Sequence, residues 1–481
     1  MQVTGHNQNA HYALVKALAR GVPYIDETLR ETGDLQSDDI TRSSDGHLYT
    51  VKAPGLAMAA QPAYLIVRGA GMRTTGDPMR ALWVLTALTS ALATALLLLL
   101  VRDLANRIEP GLGTVTAVVV GLGALTLPFA TLFVSHALGG ALVFAAFWLL
   151  WREREGIPHL PLVAAAGVLA GLAVTAEHPT MWLAPILALY AAARAPFVSR
   201  FVAFTAGGLV GLLPFFAFNL WAFGNPLHTP YDDYWVEHTG FSSLALPNWD
   251  AFSKIVFSSL GLLVLAPVLA AGVAGMVLLY RRGRRAEALV CAAAPLVLLV
   301  YFSGSGGFGG FGPPRYLTPI MPFALVPLAA AFRRVPVTTA VLAAIGIFQA
   351  VVQTATGPLA AYDGAWLERA VDRNFMATAA ELVGVSGWYA ILPFFAAAGA
   401  AVFLALAASP RPELRVADSA IAAAALAAWA LVAALSTTDP GRPPSDAYAL
   451  TTVAVLALLP LAASASALKR ARAPVQAARG A

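Results

Sequence analysis

From Arg80 onward the chain is a succession of apolar runs, each about long enough to cross a bilayer. A hydrocarbon core of about 30 Å takes about 20 residues of helix. Lipid offers backbone N–H and C=O groups no partner, so a run that crosses must bond within itself, as a helix does. By this yardstick about thirteen spans are expected, at 81–101, 112–133, 136–151, 160–176, 179–193, 201–223, 255–280, 287–303, 316–332, 337–356, 388–408, 417–436 and 449–468. The stretch 112–151 reads as a tight hairpin, and 160–193 as split at Glu177-His178-Pro179. The expected fold class is an all-α polytopic membrane protein. With 58% hydrophobic and 12% charged residues, a soluble domain is excluded.

Basic residues set the orientation. Every second loop is rich in arginine or lysine: Arg102 and Arg107, Arg152 and Arg154, Arg194 and Arg200, Arg281 to Arg285, Arg333 and Arg334, Arg411 and Arg415, then Lys469 to Arg479. By the positive-inside rule these loops are cytoplasmic, so the net charge of +5 is a topology signal rather than a nucleic-acid footprint. The N-terminal segment, the tip at His136, the Glu177-His178 break, the 224–254 loop and the Gly-rich 304–315 loop then face outward. Cys291 is the single cysteine, so no disulfide forms within the chain.

Residues 1–79 hold no span. Two amphipathic helices are expected there, at about Ala10–Arg20 and Gly55–Gly69, lying at the outer interface. Tyr12, Leu14, Val15 and Leu18 recur at helical spacing, with Lys16 and Arg20 on the other side. Between the two helices lies an acidic, turn-rich loop containing Asp26, Glu27, Asp34, Asp38, Asp39 and Asp45, read as solvated. No signal peptide or preceding span carries this segment across, so a further span is expected upstream of Met1.

The outer face also gathers the chemistry. In LYTVKAPGLAMAAQP, Tyr49 and the lone cation Lys52 precede a Pro-Gly break. That suits a grip on a lipid phosphate, and it equally suits a lysine snorkelling to the interface. Glu177 ends an apolar run, where hydrocarbon penalises a charge heavily; it reads as a site acid or as a helix end facing water. His136 in FVSHALGG reads as a site residue or as a neutral, hydrogen-bonded imidazole. After GSGGFGGFGPP, Arg315 offers a fork to a phosphate at a helix start, with Tyr316 beside it. The glycine run is neither a P-loop nor a dinucleotide fingerprint. His228, Tyr231 and their aromatic neighbours would stack on sugar rings or form an interfacial belt.

The order of an interfacial helix, an acidic loop, a Tyr-x-x-Lys-x-Pro-Gly element, a second interfacial helix, many spans and a late outer RYLTPIMP resembles the GT-C superfamily of polyprenyl-phosphate-dependent glycosyltransferases. The superfamily includes lipid A aminoarabinose transferases and protein O-mannosyltransferases, and the resemblance covers roughly residues 8–335. It implies two extracytoplasmic juxtamembrane helices in the first outer loop, with Lys52 on the lipid-linked phosphate. It also implies an enzyme of the plasma membrane, active on its extracytoplasmic face, that moves a hexosyl or pentosyl group from a polyprenyl-phosphate donor to an acceptor hydroxyl on a glycan, lipid or protein. On this reading residues 1–79 are the first outer loop, 80–335 the GT-C-like core and 336–481 the C-terminal helices. Two positions depart from the pattern. Asn7-Gln8-Asn9 stands where the family places an Asp, and His136 where it places a second acid. The proton-accepting group is then expected from Asp39, Asp34, Glu177 or His136. No cofactor is called for, and a divalent metal is left open. A transporter or flippase of lipid-linked sugars and a catalytically inactive relative are the competing readings.

Overall fold

The computed structural model describes residues 5–31, 37, 39–76, 78–156, 158–233, 246–304, 314–357 and 366–435. The expected span 449–468, Asp34 and most of the Gly-rich loop lie outside them. The chain is a helical polytopic membrane protein. Among the described residues six helices are long and apolar enough to cross a bilayer, or up to eight if each bent pair is one span. The longest, Met79–Ile108, holds a π-helical turn at Ala87–Ala91. There Ser90 turns its hydroxyl to the Val134 carbonyl, 3.1 Å away.

Several runs expected as single spans are broken, two of them at a proline. Trp249–Leu265 turns by 85° into Val268–Arg281 across Pro267, and Arg315–Leu325 turns by 52° into Leu328–Arg334 across Pro327. A proline has no N–H for the helical ladder and crowds the turn before it. The stretch 112–133 divides into Gly113–Leu122 and Thr126–Ala130. The stretch 160–193 is split at Glu177-His178-Pro179 as expected, a 3₁₀ turn at His178–Trp182 leading from Leu160–Ala176 into the short helix Ala184–Ala192. Leu160–Ala176 packs on Phe197–Phe223 through Gly167 and Gly171 against Gly207 and Gly211. Added methyl groups there would lie about 2 Å from backbone oxygens of the other helix, the close small-residue contact of membrane helices.

The arginines of the basic loops converge at one end of the bundle. Arg107 pairs with Asp103 and Glu155, and Arg284 reaches Glu155 as well. Arg200 is fully buried and meets both oxygens of Glu153, at 2.6 and 2.5 Å. Helix Ser135–Glu155 has its C-terminus in this network and carries His136 at the other end. At 1.5 Å per residue those ends are roughly 30 Å apart.

The N-terminal segment departs most from expectation. Helix His6–Ala19 is no surface helix: Asn7 to Ala17 are all buried. Lys16, expected on a polar face, is 2% exposed and pairs with Glu31 at 2.9 Å. Tyr12, Leu14 and Val15 join Leu56, Tyr64, Leu82, Phe133 and Phe218 in one apolar cluster. The second helix is two pieces, Gly55–Ala59 and Gln61–Gly69, and the latter exposes Leu65 and Ile66. The acidic loop is not merely solvated turns. It contains a helix, Asp26–Glu31, and an antiparallel hairpin, β1 (Ile40–Arg42) with β2 (Leu48–Thr50), so the fold is helical but not purely so.

Candidate active site

The hairpin register builds the first half of the site. Ile40 lies opposite Thr50, and the next pair outward is closed by the Val51 N–H donating to the Asp39 carbonyl at 3.0 Å. Asp39 and Lys52, thirteen positions apart, thus leave the ladder side by side, and their side chains pair at 2.8 Å. Lys52 is almost fully buried. Burial alone would strip its proton, but the Asp39 carboxylate holds it as an ammonium with a raised pKa. Burial likewise opposes ionisation of Asp39, yet Lys52 and Arg315 hold its carboxyl below the usual carboxylate range.

The second half comes from helix ends. Glu177, at the end of Leu160–Ala176, accepts from Ser135 at 2.5 Å and meets His136 Nδ1 at 2.9 Å. Gly139 permits this approach, since an added methyl would sit 2.5 Å from the Glu177 Cβ. Gly55, in the Ala-Pro-Gly break, lies so close to Thr175 and Ala176 that any side chain would collide with their backbone. The Lys52 element is thereby docked against the Glu177 break. Tyr316 meets the His136 ring edge-on at 5.1 Å, and His178 meets Tyr231 at 5.9 Å. Tyr316 and Tyr231 both act electrostatically on Lys52.

Asp39, Lys52, Glu177, His136, Arg315, Tyr316 and Tyr231 therefore fall in one constellation. Tyr49 and His228 have other partners. The Tyr49 hydroxyl donates to Asp45 at 2.8 Å and lies 3.1 Å from the Ala222 carbonyl. His228 pairs with Asp233 at 2.9 Å, and Ser43 donates to the same carboxylate, tying the stretch after Phe223 to the hairpin. Asp34 lies outside the described residues. His11, not singled out from the sequence, stands among the group: it is fully buried and acts electrostatically with Lys52, Glu177, His136 and Asp39. Its signal was a histidine beside Asn7-Gln8-Asn9 in a helix otherwise of core residues. Among the described residues no three His, Cys, Asp or Glu side chains group as metal ligands would.

The depressed Asp39 carboxyl has a signed consequence. Such a group stabilises the fold above its unfolded value, about 3.9, and loses that contribution as pH falls through the folded value. The difference in Tm between wild type and Asp39→Asn is expected to stay level from about pH 8 to about 5 and to close only below about 4. A difference that closes above pH 5 would contradict the ion pair.

With the geometry in hand, comparison with solved structures gives the fold. The chain has a GT-C fold, as the resemblance implied. It is similar over 95% of its length, at 14% identity and a TM-score of 0.50, to 84% of ArnT from Cupriavidus metallidurans, the undecaprenyl-phosphate aminoarabinose transferase, solved with undecaprenyl phosphate. The apo form of ArnT matches over the same shares with a TM-score of 0.49. An oligosaccharyltransferase from Archaeoglobus fulgidus matches with a TM-score of 0.43 and 13% identity, over 90% of this chain and 55% of its own. No family model and no curated protein matches the sequence.

Proposed function

We propose that the chain is a membrane glycosyltransferase that moves a sugar from a polyprenyl-phosphate donor to an acceptor hydroxyl on the extracytoplasmic face of the plasma membrane. One observation carries the reading: a lysine, almost fully buried within a GT-C fold, is held charged by one aspartate. A buried cation that a single carboxylate balances is ready to take a second anion of the same kind. The donor phosphate is that anion. Arg315, which acts electrostatically on Asp39, adds a second cation at its edge.

As the phosphate takes Lys52, Asp39 gives up its partner and regains its basicity. Asp39 then accepts the proton of the acceptor hydroxyl. The acceptor oxygen bonds to the anomeric carbon, and the bond from that carbon to the phosphate oxygen breaks. Polyprenyl phosphate leaves with the electron pair, its growing charge met by Lys52 and Arg315. Glu177, held by Ser135 and His136, is the second carboxylate of the site. For the prenyl chain the fold offers an apolar cavity of about 480 Å³, lined by Val174, Phe204, Leu212, Phe215 and Leu227. Phe215 contacts His178, whose ring also meets Tyr231, so the cavity adjoins the polar cluster.

The test uses the purified protein in nanodiscs with radiolabelled polyprenyl-phosphate sugars and a membrane extract as acceptor. Wild type is expected to transfer label. Asp39→Asn is expected to bind donor and lower kcat about 10²- to 10⁴-fold, and Asp34→Asn tests the other acid of the loop. Donor binding without transfer to any acceptor would overturn the enzyme reading in favour of a transporter or an inactive relative.

A further inference from the structure

The N-terminal half of helix His6–Ala19 carries Asn7, Gln8, Asn9 and His11, all of them buried. The Gln8 side-chain oxygen is accounted for, accepting from the Phe133 N–H at 2.7 Å. Asn7 and His11 are different. Among the described residues, the Asn7 Oδ1 and both ring nitrogens of His11 have no hydrogen-bond partner. Positions 7 and 11 are one helical turn apart and share a face. An orphaned buried polar atom costs roughly 1–3 kcal/mol, so three on one face form an arrangement that core packing alone would not keep.

The chemistry of the face narrows what it holds. Burial and the nearby Lys52 ammonium push the His11 pKa down to about 3, so the ring is neutral and offers one donor and one acceptor. Asn7 adds an acceptor. A phosphate needs donors and would meet two bare acceptors here, with Asp39 and Glu177 also acting on the ring. A cation would meet Lys52. A hydroxyl both donates and accepts, and satisfies the face without adding charge. In a phosphorylated sugar the ring hydroxyls lie a few bonds from the phosphate, as His11 lies within electrostatic reach of Lys52.

We infer that Asn7 and His11 form a subsite for a hydroxyl of the transferred sugar or of the acceptor, on the face of the buried helix that adjoins the Lys52–Asp39 pair. The inference rests on the donor reading above. It makes His11 a residue of substrate positioning and specificity, not the proton acceptor.

The test titrates polyprenyl phosphate and a panel of polyprenyl-phosphoryl hexoses and pentoses into wild type, His11→Phe, His11→Gln and Asn7→Leu in nanodiscs, reading tryptophan fluorescence and Tm. His11→Phe keeps a ring against Phe133 and removes the orphaned nitrogens, so it is expected to fold with a Tm no lower than wild type. Its Kd for polyprenyl phosphate should stay within twofold, while its Kd for the sugar-bearing donor rises tenfold or more. His11→Gln, which keeps a donor and an acceptor, should return that Kd to within threefold of wild type, and Asn7→Leu should weaken the donor in the same sense. Unchanged donor binding with a tenfold rise in acceptor KM at constant kcat would assign the hydroxyl to the acceptor and support the subsite equally. Equal weakening of both lipids, no change in any of these, or no recovery with His11→Gln would overturn it. A Tm fall in both His11→Phe and Asn7→Leu, with sugar discrimination intact in the folded fraction, would make the face a packing surface and overturn it too. If wild type binds neither lipid, the donor reading fails and this inference fails with it. If wild type binds both and His11→Phe loses nothing, only the inference fails.

Discussion

Lys52→Ala is expected to abolish transfer and to destabilise the N-terminal segment, and the two effects are separable. Removing the ammonium leaves the Asp39 carboxylate, about a fifth exposed, without its partner. Breaking a buried ion pair from one side typically costs about 3–5 kcal/mol, and this pair should fall at the low end because Asp39 keeps some contact with solvent. The loss of transfer has another origin. A cation positioned at the leaving group is worth about 10²- to 10³-fold in rate, in addition to its share of donor binding. The double variant Lys52→Ala/Asp39→Ala removes both charges, so it should recover much of the stability and none of the activity. Thermal unfolding measured beside single-turnover transfer separates the terms. Transfer by Lys52→Ala within tenfold of wild type would remove Lys52 from the chemistry.

The second large effect lies at the other end of the bundle. Arg200→Leu is expected to destabilise the protein by about 3–5 kcal/mol while leaving kcat for the surviving fraction unchanged. Arg200 and Glu153 are almost completely buried and meet through two parallel hydrogen bonds, so truncating one strands the other charge. Arg200→Leu/Glu153→Leu should restore most of the loss, since an apolar pair of similar volume often replaces a buried ion pair without penalty. Recovery should stop short of wild type. Glu153 also accepts from the His159 N–H at 2.9 Å, and Arg200 also donates to the Ala191 carbonyl at 2.7 Å. Urea unfolding in detergent reads the three variants. A single variant as stable as wild type would mean that the pair is solvated.

What the sequence disclosed follows from which physical terms are local. Apolar length and the alternation of basic loops are properties of the string itself, and they mark the membrane helices and the arginines that gather at one end. Lys52, Glu177, His136 and Arg315 were legible because a charge or imidazole in an apolar setting is conspicuous residue by residue. The hairpin was not read from the sequence: a two-residue Asp45-Gly46 turn would set Arg42 opposite Tyr49, whereas Arg42 lies opposite Leu48, and the flanking TRSS and HLYT lack a clean alternation. The Lys52–Asp39 pair depends on that register, so the string narrows the partner of Lys52 to the loop acids and leaves the choice among them to the fold. The bends at Pro267 and Pro327 depend on which neighbour receives the turned chain. The burial of Lys16 and His11 depends on helices far along the sequence closing over a segment that, read alone, lies on a surface.

That closure constrains how the protein can diverge. Helix His6–Ala19 serves as core and as site at once, because the turns that present Asn7 and His11 also carry Tyr12, Leu14 and Val15 into the apolar cluster. Substitutions that reshape the proposed Asn7–His11 subsite are therefore filtered for folding before they are filtered for substrate. The hairpin tip at Ser44 and Asp45 and the neighbouring Asp232 carry no such double duty in the core, being partly or fully open to solvent. Lineages of this fold that take up new acceptors have their easiest route through those rims, with the helix behind them held nearly constant.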